Sequence, residues 1–515
     1  MADKERKRKW KDTGKMITFL PEKIEYELNG EETILQAATS AGIRISADCA
    51  GTGVCGKCKV KVTGVDEPGF YLACCTKASD GMVIERALEI NDVARKKKLV
   101  DLPAWFRPEQ DESSQIPRYG ISVDIGTTTV VVMLWNLSNG RMEGVKAVTN
   151  PQGNYGADVI SRQTFAGAKS ENRRIMQMLI VDAINEAAVE LCKDNNIPVE
   201  YITRYVVVGN TIMSRLFRGE EPPVLAGADN ADVYIGPGIA GHIGSDITAG
   251  LITTNIMEKK ENHLFIDIGT NGEMVLTGNG KACACSTAAG PAFEGGAVAQ
   301  GMRAAEGAIE KVQLSEEGVI IETISDAEPA GICGSGIIDA VAELVKIGIV
   351  DKGGRILDTG ELRSRNVSEK LISHVSPNGP INDFVLYESP DGKRRVCITQ
   401  KDIREVQLAK AAIEAGIKIM MKELGIVTEN LDRVSVAGAF GSYIRTDSAV
   451  ILGILPDVPK SKIYSLGNSA GIGASMMLLS ENMMKAAETA VNDIMHIELA
   501  DRSDFQEEYL MAMMF

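Results

Sequence analysis

Five cysteines fall within 27 residues: Cys49, Cys55, Cys58, Cys74 and Cys75. Three share one glycine-rich loop, Cys49-Ala50-Gly51-Thr52-Gly53-Val54-Cys55-Gly56-Lys57-Cys58, spaced C-x5-C-x2-C, and a further thiol arrives with Tyr71-Leu72-Ala73-Cys74-Cys75. Thiolates are soft ligands that hold zinc or iron–sulfur clusters, and glycines let backbone amides turn toward bridging sulfides. Structural zinc usually takes two C-x2-C pairs on separate knuckles. Three cysteines on one loop and a single return instead suit an iron–sulfur site, one residue longer than the plant-type C-x4-C-x2-C…C spacing. Spacing alone leaves Cys74 and Cys75 both open as the fourth ligand. Cys192, Cys283, Cys285, Cys333 and Cys397 are scattered and read as small buried hydrophobes.

A second constellation is an internal echo. Ile121-Ser122-Val123-Asp124-Ile125-Gly126-Thr127-Thr128-Thr129-Val130 returns in outline, 143 residues later, as Phe265-Ile266-Asp267-Ile268-Gly269-Thr270-Asn271-Gly272-Glu273-Met274-Val275. That interval is too long for a solenoid and suits a duplicated domain. Each copy reads as strand, polar turn, strand. Gly126, Thr127 and Thr128 in one copy, and Gly269, Thr270 and Asn271 in the other, can offer amides and hydroxyls to a phosphate. Asp124 and Asp267, at strand ends, can hold Mg²⁺ or orient water. Neither a P-loop nor a G-x-G-x-x-G fingerprint opening a helix occurs. Two later glycine-rich turns, Gly331–Asp339 with Gly334 and Gly336, and Val434–Ser442 with Gly438 and Gly441, let a ligand approach backbone closely. The first lies at a helix N-terminus, which favours anions. A small-residue loop, Cys285–Gly296, carries Glu294 as its only charge.

The elements that must position these groups follow from periodicity. Met16–Phe19 and Lys23–Leu28 predict a hairpin, with turn chemistry in Leu28-Asn29-Gly30. A helix is predicted over Thr33–Ala41, with Leu35, Ala38 and Ala41 on one face and Gly42 as its stop, then a strand over Lys59–Val62. Residues 87–118 carry the basic run Arg95-Lys96-Lys97-Lys98, three prolines and the polar stretch Glu109–Gln115, a linker composition with a short helix through Asn91–Val100. A hinge here would let the flanking parts move. Beyond it, Tyr205–Val208 reads as a strand, and Met213–Phe217 and Ile337–Ile347 as helices. Arg173–Lys193 and Thr399–Gly425 read as core-forming helices. The methionines of the last forty residues read as core packing.

Composition bounds the rest. The chain has 515 residues, 44% hydrophobic and 24% charged, with net charge −15. That excludes a disordered protein and argues against non-specific binding to nucleic acid or anionic membrane. No run of about 18 apolar residues could span a membrane. Lys4, Arg6, Lys7, Arg8, Lys9 and Lys11 make a basic tail without the apolar core of a secretory signal, so a cytoplasmic location is expected. The expected domains are a flexible tail (1–15), a cysteine-bearing domain (16–86), a linker (87–118) and a duplicated two-lobed domain (119–515), its lobes at about 119–260 and 261–515.

The cysteine region resembles α+β β-grasp ferredoxin domains carrying a 2Fe–2S cluster. In that family the last ligand follows Leu-Ala or Leu-Thr, which implies Cys49, Cys55, Cys58 and Cys74 as ligands, with Cys75 beside them. The two hairpins and late glycine turns resemble the α/β two-lobed actin-like ATPases, among them sugar kinases, actin and heat-shock chaperones. That resemblance implies that Asp124 and Asp267 approach Mg²⁺ and ATP from the two lobes. It places Thr127, Thr128, Thr270 and Asn271 along the phosphates, and Gly334, Gly438 and Gly441 on the adenosine side.

The combination resembles the reductive activators of corrinoid proteins, through the cysteine loop, Asp-Ile-Gly-Thr-Thr-Thr, Asp-Ile-Gly-Thr-Asn-Gly-Glu, Ala-Ala-Gly-Pro-Ala-Phe-Glu-Gly and Gly-Ile-Cys-Gly-Ser-Gly. The chain looks shorter than the longer members, which would trim the family's intermediate domain. The resemblance implies ATP-dependent return of one electron from the cluster to Co(II), regenerating Co(I), with a corrinoid methyl-carrier protein as acceptor and an external low-potential electron donor. Competing readings are an iron–sulfur ATPase serving an acyl-CoA dehydratase or reductase, a redox-regulated sugar or acid kinase, and a binding module. The oligomeric state stays open, a homodimer included.

Overall fold

The computed structural model describes residues 15–20, 23–43, 45, 58–65, 68–85, 101–109, 117–156, 158–258, 260–441 and 443–515. The basic tail, Cys49, Cys55, Ser442 and the helix expected over Asn91–Val100 lie outside them. The chain divides into two units, Met1–Leu88 with Asn154–Ala157, and Glu89–Gly153 with Asp158–Phe515.

In the first unit, β1 (Met16–Leu20), β2 (Ile24–Glu27), β3 (Lys59–Thr63), β4 (Gly69–Leu72) and β5 (Val83–Glu85) form one mixed sheet in the order β2-β1-β5-β3-β4. Lysine and valine alternate along β3, so Val60 and Val62 face inward. They pack with Ile17, Phe19 and Ile84 against helix α1 (Ile34–Ser40). A capping box starts α1: Thr33 Oγ1 accepts from Gln36 N at 3.2 Å, and Gln36 Oε1 accepts from Thr33 N at 2.9 Å. That start phases the helix so that Ile34, Ala37 and Ala38 are buried. Of the expected face, Leu35 and Ala41 reach only the rim. The hairpin turn is also displaced. It lies before Ile24, where Lys23 has φ 58°, while Gly30, at φ 84°, precedes α1.

The second unit contains the duplication. The first lobe's sheet runs β10-β9-β6-β7-β8, from β6 (Tyr119–Ile125), β7 (Thr129–Asn136), β8 (Arg141–Thr149), β9 (Ile202–Gly209) and β10 (Asp232–Ile235). Its helices include α2 (Ser170–Asp194), α3 (Thr211–Arg218) and α4 (Ser245–Thr254). The second lobe begins with β11 (His263–Ile268), β12 (Gly272–Gly278) and β13 (Lys281–Thr287). Two three-stranded sheets follow, β14 (Ala308–Ser315), β15 (Gly318–Thr323) and β16 (Gly331–Ile332), then β17 (Val375–Asn378), β18 (Ile381–Glu388) and β19 (Arg395–Ile398). Helices α5 (Gly334–Ile347) and α6 (Gln400–Leu424) pack on this lobe. Strands β20 (Arg433–Ala437), β21 (Ile463–Gly467) and β22 (Met495–His496) complete the sheet β21-β20-β11-β12-β13-β22. In both lobes the first three strands run antiparallel, and the fourth and fifth add parallel to the first.

The lobe boundary expected near residue 261 needs one correction. Helices α7 (Ser469–Leu479) and α8 (Glu481–Asp493) return to the first lobe. Every residue of α7 is buried, and Met476, Met477 and Leu478 join Met133, Trp135, Val206 and Val208 in one core. Met511 and Met514 depart from the packing expectation and are exposed. Helix α7 crosses α4 where neither has a side chain in the way. A Cβ on Gly473 would overlap the Ala249 carbonyl oxygen, and one on Gly250 would come 2.8 Å from Ser469 Oγ. Gly473→Ala is therefore expected to destabilise the fold by about 2–3 kcal/mol, seen as a lower thermal midpoint. An unchanged midpoint would mean the helix pair has slack.

Part of the expected linker is anchored. Phe106 is 5% exposed and packs in the core that α7 shares with Trp135. Glu109 caps the start of α8, accepting from Ser480 Oγ at 2.6 Å, Asn482 Nδ2 at 2.8 Å and Glu481 N at 3.1 Å. Its own amide donates to Leu479 O at 2.9 Å.

Candidate active site and cluster-binding site

Each hairpin of the duplication ends in a tight turn. Gly126 N donates to Thr129 O at 3.0 Å, and Gly269 N to Asn271 O at 2.9 Å. A Cβ on Gly126 would stand 2.6 Å from that Thr129 carbonyl, so the turn requires glycine. Around the first turn, Asn150 Nδ2 donates to Gly126 O at 2.9 Å, and Asn210, the N-cap of α3, reaches Thr127 Oγ1 at 3.2 Å. Around the second, Thr270 Oγ1 donates to Glu294 Oε1 at 2.7 Å and Asn271 Nδ2 reaches Glu273 Oε1 at 3.4 Å.

The two strand ends bring four carboxylates into one electrostatic field. Burial pushes Asp124 up to about 7, helped by the charge of Asp246 and opposed by a hydrogen bond from the Asn468 side chain. Burial likewise pushes Asp267 up to about 7, with Asp246 and Asp124 adding to it. Asp246, in the first turn of α4, rises to about 6 through burial, against the pull of the Ile247 amide. Glu273, paired with Asp267 across β11 and β12, is held well above the usual carboxylate range by burial and by Asp246 and Asp267. Such mutual repulsion is relieved by protons or by a cation. Among the described residues no three His, Cys, Asp or Glu side chains approach closely enough to chelate a metal. Mg²⁺ keeps several waters and binds through one or two carboxylates plus substrate phosphates. The carboxylates therefore fit a Mg²⁺ that arrives with a nucleotide better than a protein-only cage.

This charge arrangement sets a pH dependence. Carboxyls raised in the folded state bind more protons there than in the unfolded chain, so stability falls as pH rises from about 4 to about 7 and then levels off. The nucleotide-free protein is expected to melt at a higher temperature at pH 5 than at pH 8. Added Mg²⁺ and nucleotide should stabilise it more at pH 8. Melts showing no such pH-dependent gain would remove the carboxylates from the cation site.

The late glycines divide. Gly438, at φ 85°, follows β20 where Ala437 pairs with Asp267, and a Cβ there would stand 2.6 Å from Asp267 Oδ1. Gly441 lines an apolar pocket with Ile268, Val436, Leu455 and Ile463. Gly334 is the first residue of α5, which begins three residues before the helix expected at Ile337. Gly336 is buried inside that helix, where a Cβ would overlap the Ile309 carbonyl. This supplies a packing reason for glycine at 336. Asp246, Glu273, Asn468, Asn150 and Asn210 were not singled out in the sequence. Asp246 and the two N-caps Asn210 and Asn468 look like ordinary helix-start residues there, and only the fold brings Asn210 to Thr127 and Asn468 to Asp124.

In the first unit Cys58 Sγ lies 3.2 Å from Cys74 Sγ, and Cys74 Sγ lies 3.6 Å from Cys75 Sγ. Cys58 is buried, Cys74 half-buried and Cys75 exposed. Ala73 N donates to Cys58 O at 2.8 Å, tying the return segment to the end of the cysteine loop. Burial and the two neighbouring thiols push Cys74 up to about 12. Bound iron would offset that cost, and the convergent thiols fit the donor set of a 2Fe–2S cluster.

The chain is similar to known proteins along most of its length. Residues 17–79 match the 2Fe–2S iron–sulfur cluster binding domain, residues 119–229 the RACo middle region, and residues 261–515 the C-terminal domain of RACo, the ASKHA domain. The chain is 30% identical to the corrinoid activation enzyme RamQ of Eubacterium limosum, over 95% of this chain and 97% of that one. It belongs to the corrinoid activation enzymes. A Co(II) methylated amine-specific corrinoid protein reductase of Methanosarcina barkeri is 25% identical over 76% of each chain. A solved reductive activator for corrinoid, iron–sulfur protein superposes with a TM-score of 0.66 at 28% identity, covering 97% of this chain and 98% of its own. The match at 119–229 overturns the expectation of a trimmed intermediate domain: the family's middle region is the segment read as the first lobe. The fold is thus a β-grasp ferredoxin domain followed by an actin-like ATPase domain. Among the described residues no helix is long and apolar enough to cross a membrane.

Proposed function

We propose that the chain reductively activates a corrinoid protein: with ATP, it delivers one electron to Co(II) in that partner and returns the cobalt to Co(I) for methyl transfer. Its similarity to RamQ along nearly the whole chain carries this reading. The thiols of Cys58 and Cys74 and the carboxylates of Asp124 and Asp267 supply the chemistry at its two ends. When bound, a 2Fe–2S cluster supplies one-electron chemistry at low potential; Cys49, Cys55, Cys58 and Cys74 are the ligands we assign to it.

In the cleft, Asp124 and Asp267 hold Mg²⁺ with its waters. The turn amides at Gly126 and Gly269, with the side chains of Thr127, Thr128 and Asn271, line the phosphates, and Thr270 stands beside them. Gly334, Gly438 and Gly441 belong to the walls on the adenosine side, where Ile268 and Leu455 give the base an apolar surface. An electron moved uphill by about 100 mV costs about 2.3 kcal/mol, which ATP turnover offsets by favouring one arrangement of the lobes over another. The expected partners are a corrinoid methyl carrier and a separate low-potential electron donor, and the cytoplasm is the expected compartment.

The test is spectroscopic and anaerobic. Ti(III)-reduced protein is mixed with Co(II) corrinoid protein, with and without Mg²⁺ and ATP. A Co(I) absorbance band should grow only with ATP. ATP turnover without Co(I), across several corrinoid partners, would point to another low-potential acceptor.

A further inference from the structure

The loop Cys285–Gly296 remains unused by the site as described, although its single charge touches the second phosphate turn. Glu294 ends a short 3₁₀ turn, Pro291–Glu294, bracketed by Gly290 at φ 77° and Gly295 at φ 73°. Phe293 beside it is fully buried. A Cβ on Gly295 would stand 2.5 Å from the Met302 carbonyl oxygen, and one on Gly301 would overlap the Gly295 carbonyl. The elbow is therefore fixed from several sides, and Glu294 is presented from rigid backbone.

A threonine hydroxyl has one proton to donate and two lone pairs to accept with. Thr270 spends its proton on Glu294 Oε1, 2.7 Å away, an ordinary hydroxyl–oxygen hydrogen-bond distance. Phosphate oxygens of a nucleotide are acceptors, so Thr270 held this way has nothing to give them. What its free lone pairs suit is a donor, and on the phosphate side of a water-bearing Mg²⁺ site the available donor is water.

We propose that Glu294 is a positioning residue of the ATP site: by taking the Thr270 hydroxyl proton in a hydrogen bond, it makes Thr270 an acceptor that orients a water beside the terminal phosphate. In hydrolysis the water oxygen bonds to the γ-phosphorus as the bond to the β–γ bridging oxygen breaks. ADP and inorganic phosphate leave, and one proton is released to solvent. Glu294 forms no covalent bond and acts only through Thr270. This rests on the ATP-site reading above.

The test is a double-mutant cycle on the full chain, read as steady-state ATP hydrolysis, with circular dichroism confirming that each variant folds. Glu294→Ala should lower kcat by about 10- to 100-fold, the usual cost of losing an outer-shell partner, with the KM for ATP changed less than about 3-fold. Glu294→Gln, which keeps an acceptor oxygen for Thr270, should recover most of that loss. In a Thr270→Ala background, Glu294→Ala should cost almost nothing more, since the two act as one unit. Equal costs in both backgrounds, or a KM effect without a kcat effect, would overturn the role. A wild-type chain that turns over ATP yet makes no Co(I) would sink the corrinoid reading and leave Glu294 standing. A wild-type chain without ATP turnover would overturn both.

Discussion

Asp124→Asn should yield a folded chain that binds its partners and does not turn over ATP. The substitution keeps the shape of the side chain and removes its charge from the centre of the cleft. Loss of a group that positions the metal and phosphates is expected to lower kcat by at least about 100-fold, and ATP-dependent Co(I) formation should fall with it. The same change should make the nucleotide-free protein more stable. Asp124 contributes to the repulsion that raises Asp267, and its own burial raises its carboxyl to about 7. The rise from 3.8 to about 7, at about 1.4 kcal/mol per pH unit, bounds the gain at about 4 kcal/mol at pH 8, with a smaller gain at pH 5. Activity and stability thus move in opposite directions, as expected where a site is strained for function. Turnover within about 3-fold of wild type would remove Asp124 from the metal site.

The second large effect concerns the first unit. Cys58→Ser should abolish iron binding and the visible absorbance of the cluster, and with them all electron transfer, while ATP hydrolysis continues. Cys58 is buried with its sulfur 3.2 Å from Cys74, and a serine hydroxyl there remains protonated and makes a poor soft-metal ligand. Cys74→Ser should do the same. Cys75→Ser should retain two irons per chain, because Cys75 is exposed and lies beyond Cys74 from Cys58. Iron retained in Cys74→Ser and lost in Cys75→Ser would exchange the two assignments.

What the sequence disclosed and what it withheld divide along a physical line. Groups that act through local spacing were readable. The cysteine return, the two Asp-Ile-Gly-Thr hairpins and the long helices at 170–194 and 400–424 each depend on neighbours a few residues away. Groups that act through convergence were not. Asp246 reads as an acidic residue near a helix start, and Asn468 as a helix cap, until the fold places both near Asp124. Gly336 could be read as a ligand contact, because a glycine that lets a helix approach a strand carries the same letter as one that admits a phosphate. The polar, proline-bearing stretch 101–109 looked like free linker because one buried phenylalanine and one capping glutamate, Phe106 and Glu109, are too few to set a period.

The return of α7 to the first lobe has a consequence in time. Ser122 and Ser475 share a buried hydrogen bond of 2.8 Å across 353 residues of chain. At about 5–20 residues per second of synthesis, about 20–70 s separate the emergence of the two partners. Throughout that interval the face of β7 and β9 carrying Met133, Trp135, Val206 and Val208 lacks the helix that covers it. The nascent chain must therefore carry an open apolar sheet while the whole second-lobe sheet from β11 to β21 is made. The first lobe is translated early and sealed late, and in that window it presents its greatest hazard of misassociation.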